Sequence, residues 1–260
     1  MSSLPVHLRV ATYNIHRCRG LDRRVRPDRV AMVLQNIGAD VVALQEVVGA
    51  GPTGRGHAEA LGAMLGLGWV MAPTRRYRSH LFGNVVLSRF PIVHHAQYDI
   101  TWKTCEPRCV QRVDVQLPGG IVAHVYNVHL GTALIERRYQ AGRLSALLTD
   151  RRIRGPRVIL GDFNEWTRGL ATAMMNRISE SVDVHLHLQR RRTYPGVLPL
   201  LHLDHIYYRG NIELASVAQP RSRMALVASD HLPLVADLVV RPDSPAAAQE
   251  AADRVAGRRS

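Results

Sequence analysis

An α/β fold is predicted for this chain by three observations. Short apolar runs of strand type recur and end on Asn, Asp or Glu: Leu8 to Tyr13 delivers Asn14, Asp40 to Gln45 delivers Glu46, and Val158 to Leu160 leads through Gly161 to Asp162. The first two runs are separated by an amphipathic helical pattern, and the order strand, helix, strand implies a parallel crossover. Hairpin signals then interrupt this alternation. The length, 260 residues with 46% hydrophobic content, is enough for one sizeable core and does not force a second domain.

Leu8 to Tyr13 alternates and is rich in strand formers, which makes Asn14, at its end, the first candidate site residue. Pro27 can occupy the first turn of a helix whose inward face is Val30, Val33, Leu34 and Ile37, with Gly38 as the stop. Asp40 to Glu46 reads as a buried strand that places Asn14 and Glu46 at one edge of neighbouring strands. Gly49 to Gly56 is expected as a loop and Ala58 to Leu65 as a short helix. Arg75, Arg76 and Arg78 are expected on a loop before the strand Gly83 to Ser88, which Arg89-Phe90-Pro91 closes before a strand from Ile92 to Tyr98.

Val110 to Leu117 and Ile121 to Val128 alternate around Pro118-Gly119-Gly120, a hairpin signal that carries His129 to a strand end. Ala133 to Thr149 is expected as a helix, with Ala141, Leu144 and Leu148 inward and Arg137, Arg138 and Arg143 outward. A second helix is expected near Leu170 to Ile178. An arginine- and proline-rich loop follows from Arg190 to Pro199. Leu203 to Tyr208 reads as a strand, Ile212 to Ala218 as its pairing partner, and Leu234 to Val240 as the last ordered strand. The expected domain therefore spans residues 7–240, and residues 241–260, rich in Pro, Ala and Arg without an apolar period, are expected to form a disordered basic tail.

The N-terminus lacks a signal-type apolar region and no stretch has bilayer-spanning length, so a cytoplasmic location is expected. Cys18, Cys105 and Cys109 make no even disulfide set and read as reduced thiols. The formal net charge is +13, carried almost wholly by arginine, with Lys103 the single lysine. Clusters at residues 23–26, 75–78, 151–154 and 190–192 favour a polyanionic partner, either nucleic acid or an anionic lipid headgroup, with peripheral membrane contact in the second case. A set of solvated charged faces accounts for the same clusters.

Gly161-Asp162-Phe163-Asn164 is where chemistry first shows. On an extended backbone Asp162 and Asn164 point the same way, so one carboxylate can take a proton while the neighbouring amide donates to an anionic oxygen. Taken with Tyr13-Asn14, Gln45-Glu46, Gly83-Asn84, Asn127-Val128-His129, Leu203-Asp204-His205 and Ser229-Asp230-His231, in this order, the chain resembles the endonuclease/exonuclease/phosphatase superfamily over residues 8–240. Its Gly161 and Gly83 segments look more like the sphingomyelinase-like and small bacterial members than like inositol phosphatases.

The resemblance implies a four-layer α/β sandwich of two packed mixed β-sheets flanked by helices, with a site built from strand-end loops. It implies that Asn14 and Glu46 hold a divalent ion and that Asp162 orients or deprotonates the attacking water. Asn164 would steady the phosphoryl group, and His129 and His231 would be the phosphate-binding and acid/base histidines. Asp204 would orient His231, with Asp230 near the metal or beside that histidine. An oxygen-only set of Asn14, Glu46 and Asp230 is hard and incomplete, which suits Mg²⁺ or Mn²⁺. The expected activity is metal-dependent phosphoester hydrolysis, more of the diesterase than the monoesterase kind. The alternative is a basic module that binds polyanions without turnover. His205 alternates to the opposite strand face from Asp204 and is assigned a structural role.

Overall fold

The computed structural model describes residues 4–52, 54–165, 169–181, 194 and 203–242. Two six-stranded mixed sheets stack face to face. The first contains β1 (Val6–Asn14), β2 (Val41–Val48), β3 (Gly68–Tyr77), β4 (His80–Ser88), β11 (Ile212–Ala218) and β12 (Leu234–Val240), in the order β11-β12-β1-β2-β4-β3. The second contains β5 (Ile92–Asp99), β6 (Cys109–Gln116), β7 (Val122–His129), β8 (Arg157–Asp162), β9 (Glu180–Ser181) and β10 (Asp204–Arg209), in the order β5-β6-β7-β8-β10-β9.

Each sheet centres on one parallel pair joined by a crossover helix. β1 and β2 are linked by α1 (Pro27–Ile37), and β7 and β8 by α3 (Leu134–Leu148). Helices α1, α2 (His57–Leu65) and α5 (Arg223–Ala228) cover the outer face of the first sheet, where Val30, Leu34, Leu61 and Ala225 join Tyr13 and Leu44 in one buried cluster. Helices α3 and α4 (Leu170–Ile178) cover the second, packing Leu144, Leu148 and Met175 against Tyr126 and Ile159. Between the sheets lies a third cluster, built from β-branched and Leu side chains such as Val10, Val41, Val86, Val125, Val158 and Leu238. These layers are the expected four-layer α/β sandwich.

A buried polar network crosses this inter-sheet core just beneath the strand ends. Gln45 Nε2 donates to Asn127 Oδ1 at 2.8 Å, and Asn127 Nδ2 lies 3.0 Å from the carbonyls of both Leu44 and Val85 and 3.2 Å from Gln111 Oε1. Thr12 completes it against Gln45. Because every member finds partners, the network fixes the relative register of the two sheets at low cost in desolvation. Asn127, which belongs to a motif by sequence, is thus a strut between sheets.

Two expectations are corrected, and one element is added. Ile212 to Ala218 does not pair with the strand before it. Gly210 (φ 102°) turns the chain out of the second sheet, and β11 pairs antiparallel with β12 in the first. The edges of β10 are already taken by β8 and β9, so the next strand must go elsewhere. Arg75 and Arg76 lie on strand β3, not on a loop. This edge strand is paired with β4 through a bulge after Pro73, and the proline and the paired arginines mask its alternation. The short helix α5, capped by Ser222 Oγ accepting from Ala225 N at 3.1 Å, has too few residues to show a period. Of the tail, Arg241 and Pro242 are tied to Glu213 and Asn211; residues 243–260 lie outside the described residues, as do most of the Arg190 to Pro199 loop and its arginine cluster.

Candidate active site

The parallel strands β1, β2, β7 and β8 all finish at one edge of the sandwich, and the antiparallel β10 and β12 begin there. That topology brings Asn14, Glu46, His129, Asp162, Asp204 and His231 from six separate segments to one place. Gly161 makes the central approach possible. With φ at 152°, a Cβ there would stand 1.9 Å from the Val128 carbonyl oxygen, so only glycine lets β8 lie this close to β7. His129 and Asp162 are consequently direct neighbours in register.

Asp162 is the hub. Its Oδ2 accepts from Asn14 Nδ2 at 3.0 Å and faces His129 Nε2 at 3.6 Å and His231 Nε2 at 3.8 Å. Burial lifts this carboxyl to about 6, against the opposing pull of His231. His231 Nδ1 donates to Asp204 Oδ2 at 3.0 Å, and both side chains are buried. Burial disfavours the imidazolium, but Asp204, then Asp162 and Asp230, outweigh it and raise His231 to about 10. At neutral pH the site therefore holds a cationic His231 between two carboxyl groups.

His129 is the electrostatic opposite. Arg108 Nη1 approaches His129 Nδ1 at 3.2 Å, and a guanidinium has only donors. The Nδ1 must offer its lone pair, so the ring hydrogen sits on Nε2, on the side of Asp162. Burial and the charges of Arg108 and His231 hold His129 well below the usual imidazole range. It is a neutral, fixed-tautomer donor. Arg108 is itself held by Glu106 at 2.9 Å, which also accepts from Arg75 at 2.8 Å.

Asn164 departs from the expected geometry. The strand ends at Asp162, whose Oδ1 accepts the Asn164 N–H at 2.9 Å, and Asn164 sits at φ 50° rather than on an extended backbone. Its amide reaches inward and donates to the Leu130 carbonyl at 2.8 Å, locking the loop after His129 to the loop after Asp162. One amide hydrogen stays in reserve for another acceptor, but Asp162 and Asn164 do not point in parallel.

The expected metal set is only partly gathered. A bulge in β2 between Leu44 and Val47 puts Glu46 at φ 56° and turns its carboxylate to Asn14 Nδ2, 3.3 Å away. Asn14 Oδ1 accepts the His16 N–H at 3.0 Å, so its amide nitrogen, not its oxygen, faces the two carboxylates. Asp230 is paired with His16 Nδ1 at 3.3 Å. Among the described residues no three His, Cys, Asp or Glu side chains form a metal-holding cluster. Among the described residues, what fits a divalent ion is Glu46 as a direct carboxylate, a hard oxygen donor opposed by Arg17 at 3.8 Å, beside a small recess shared with Asn84, Arg108 and His129. Such a shell leaves most positions to water and substrate oxygens.

Sequence reading missed Arg108, His16, Arg17 and Tyr194. His16, Arg17 and Cys18 adopt φ of 43°, 61° and 54°, a left-handed turn unusual for non-glycine residues. It sets His16 on Asp230 and Arg17 near Glu46, and strain of this kind gathers at functional sites. The Tyr194 ring lies 4.9 Å from that of His231, and burial together with Asp230, Asp162 and Glu46 pushes its phenol upward. No period or motif marks these residues; each looks like an ordinary loop residue until the fold closes. His205 does keep to the other face, against the rings of Phe163 and Tyr207.

The model of the Endonuclease/Exonuclease/phosphatase family matches residues 11–231. The Escherichia coli protein YbhP is 29% identical over 242 residues, covering 88% of this chain and 95% of its own. Among solved structures, an endonuclease/exonuclease/phosphatase from Beutenbergia cavernae superposes with a TM-score of 0.70 at 24% identity, over 90% of this chain and 72% of that one. A mannosyl-6-phosphatase from Bacteroides thetaiotaomicron superposes at 0.72 and 17% identity, over 89% and 99%. These likenesses show the fold.

Proposed function

The chain belongs to the endonuclease/exonuclease/phosphatase family, a family of hydrolases, and on that premise we propose that it is a divalent-metal-dependent phosphodiesterase working by in-line attack of water. The reading is carried by Asp162, a buried carboxyl lifted to about 6 and flanked by one neutral and one cationic imidazole. A carboxyl raised in this way is a stronger base than an ordinary carboxylate and is still mostly ionised at neutral pH.

Asp162, aligned by Asn14, takes a proton from the attacking water as the new phosphorus–oxygen bond forms and the bond to the leaving oxygen breaks. His231 supplies positive charge to the phosphoryl oxygens, held in its cationic state by Asp204. His129 donates from Nε2, which Arg108 keeps protonated without letting the ring charge. Glu46, with Asn14 beside it, is the residue that would hold Mg²⁺ or Mn²⁺. When bound, the ion would add Lewis-acid stabilisation of charge on the phosphoryl and leaving oxygens. Nucleic acid and anionic lipid headgroups are both diesters that the arginine-rich surface would attract.

The test is hydrolysis of bis-p-nitrophenyl phosphate by the purified chain with Mg²⁺ and with EDTA. Turnover that needs the metal and vanishes in Asp162→Asn is expected; binding of polyanions with no turnover of any phosphoester would leave the non-catalytic module instead. The likeness to a mannosyl-6-phosphatase favours a second arm with p-nitrophenyl phosphate, where faster turnover of the monoester would reverse the preference.

A further inference from the structure

Helix α3 exposes apolar side chains at its start. Its inner face packs Ala141, Leu144 and Leu148 into the core, yet its first turns also turn Leu134 (59% exposed), Ile135 (69%) and Tyr139 (37%) to solvent. The ring of Trp102, from the segment between β5 and β6, lies 4.7 Å from that of Tyr139, and Lys103 Nζ stands 5.0 Å from the Trp102 ring. Together they edge an open groove of about 560 Å³ lined by Trp102, Ile135, Arg138, Tyr139, Gly142 and Arg143.

Two short stretches of chain join this shelf to the active site. Leu134 follows His129 by five positions, and Trp102 precedes Arg108 by six. Both connections are pinned: Asn164 holds the Leu130 carbonyl, and Glu106 ties the Trp102 segment to Arg75 on β3.

We propose that the shelf seats the protein on the surface of an anionic phospholipid bilayer, presenting headgroup phosphodiesters to the neighbouring site. The proposal rests on the phosphodiesterase reading of that site. Two aliphatic side chains at the exposed end of a helix offer a nucleic acid neither a π face nor a donor, but they gain by dipping into the boundary between headgroups and acyl chains. Trp and Tyr favour that boundary, and the long stems of Lys and Arg lie along it with their charges in the headgroup layer. The charges are complementary. Lys103, Arg138 and Arg143 rim the shelf and outnumber the one carboxylate that faces them, Asp99 beside Arg143, whereas Glu106 is engaged by Arg75 and Arg108 and Glu136 is buried against Gln140. A second copy of the chain would bring the same arginines face to face.

Co-sedimentation with vesicles of phosphatidylcholine alone and of phosphatidylcholine with phosphatidylglycerol tests this, with bis-p-nitrophenyl phosphate turnover measured on the same samples. Binding to the anionic vesicles only is expected, weakening as salt rises. The double substitution Leu134→Ser with Ile135→Ser should cut that binding about tenfold or more while small-diester turnover stays unchanged. Arg138→Ser with Arg143→Ser, which leaves the apolar tip intact, should weaken it as well. Absence of vesicle binding, or binding indifferent to both pairs of substitutions, overturns the proposal. It is equally overturned if the serine pair abolishes binding of single-stranded DNA or converts a dimer to a monomer by light scattering. Failure of the catalytic reading is seen separately, as a wild-type protein that binds vesicles but turns over no diester.

Discussion

Asp204→Asn is the most informative single change. Asp204 is fully buried and supplies both the hydrogen bond, at 3.0 Å, and the largest charge effect that lifts His231 from 6.5 to about 10. A rise of that size corresponds to about 5 kcal/mol of preference for the imidazolium in the folded chain. Asp162 and Asp230 contribute part, which leaves roughly 3 kcal/mol to Asp204, in the range for breaking a buried charged pair. A group whose folded value is raised stabilises the fold fully below its unfolded value and loses that contribution as pH rises through the folded one. The wild type should therefore exceed Asp204→Asn in unfolding free energy by about 3 kcal/mol near pH 6, with the gap closing as pH approaches about 10. Burial, no longer opposed by Asp204, should bring the His231 titration down by about two pH units. NMR titration of the imidazole protons in EDTA and urea unfolding at a series of pH values read the two effects. At pH 8 turnover should fall by roughly a hundredfold or more. A stability gap independent of pH, or a His231 that still titrates near 10 in the variant, would refute the pairing.

Three further outcomes are expected. Arg108→Met frees Nδ1 of His129, so ¹⁵N spectra should show tautomer exchange and a ring that titrates closer to the ordinary range, with turnover down about tenfold or more; an unchanged Nε2–H spectrum would remove Arg108 from that role. Glu46→Gln should raise the Mg²⁺ concentration for half-maximal activity by at least about tenfold, the equivalent of 1.4 kcal/mol, and an unaltered requirement would take Glu46 out of the ligand set. Asp162→Asn should be inactive yet more stable. Its carboxyl is raised from 3.8 to about 6, so the charged form costs the wild type about 3 kcal/mol above pH 6 and little below pH 4, and thermal melts at pH 8 should show the variant ahead.

The local elements were legible because their signals are local. Pro27 and Gly38 bracket α1 with its apolar positions between them, and the Pro118-Gly119-Gly120 turn announces the β6–β7 hairpin; each depends on backbone preferences and periodicity that neighbouring residues carry. The strand ends were legible for the same reason, and with them the placement of Asn14, Glu46, His129 and Asp162 at one edge. Tertiary structure alone decided what those residues do to one another. That β11 joins β12 rather than β10 depends on which edges are vacant, a property of the assembled sheets. That Asn164 faces Leu130, that Asn14 offers its nitrogen to two carboxylates, and that Arg108 holds the tautomer of His129 depends on contacts between segments far apart in the chain. A pKa is set the same way. Nothing in the residues around Asp162 or His231 separates a carboxyl raised by burial from an imidazole raised by a distant carboxylate; the difference appears only when folding removes water from both, and burial outweighs the partners of Asp162 while the carboxylates around His231 outweigh burial.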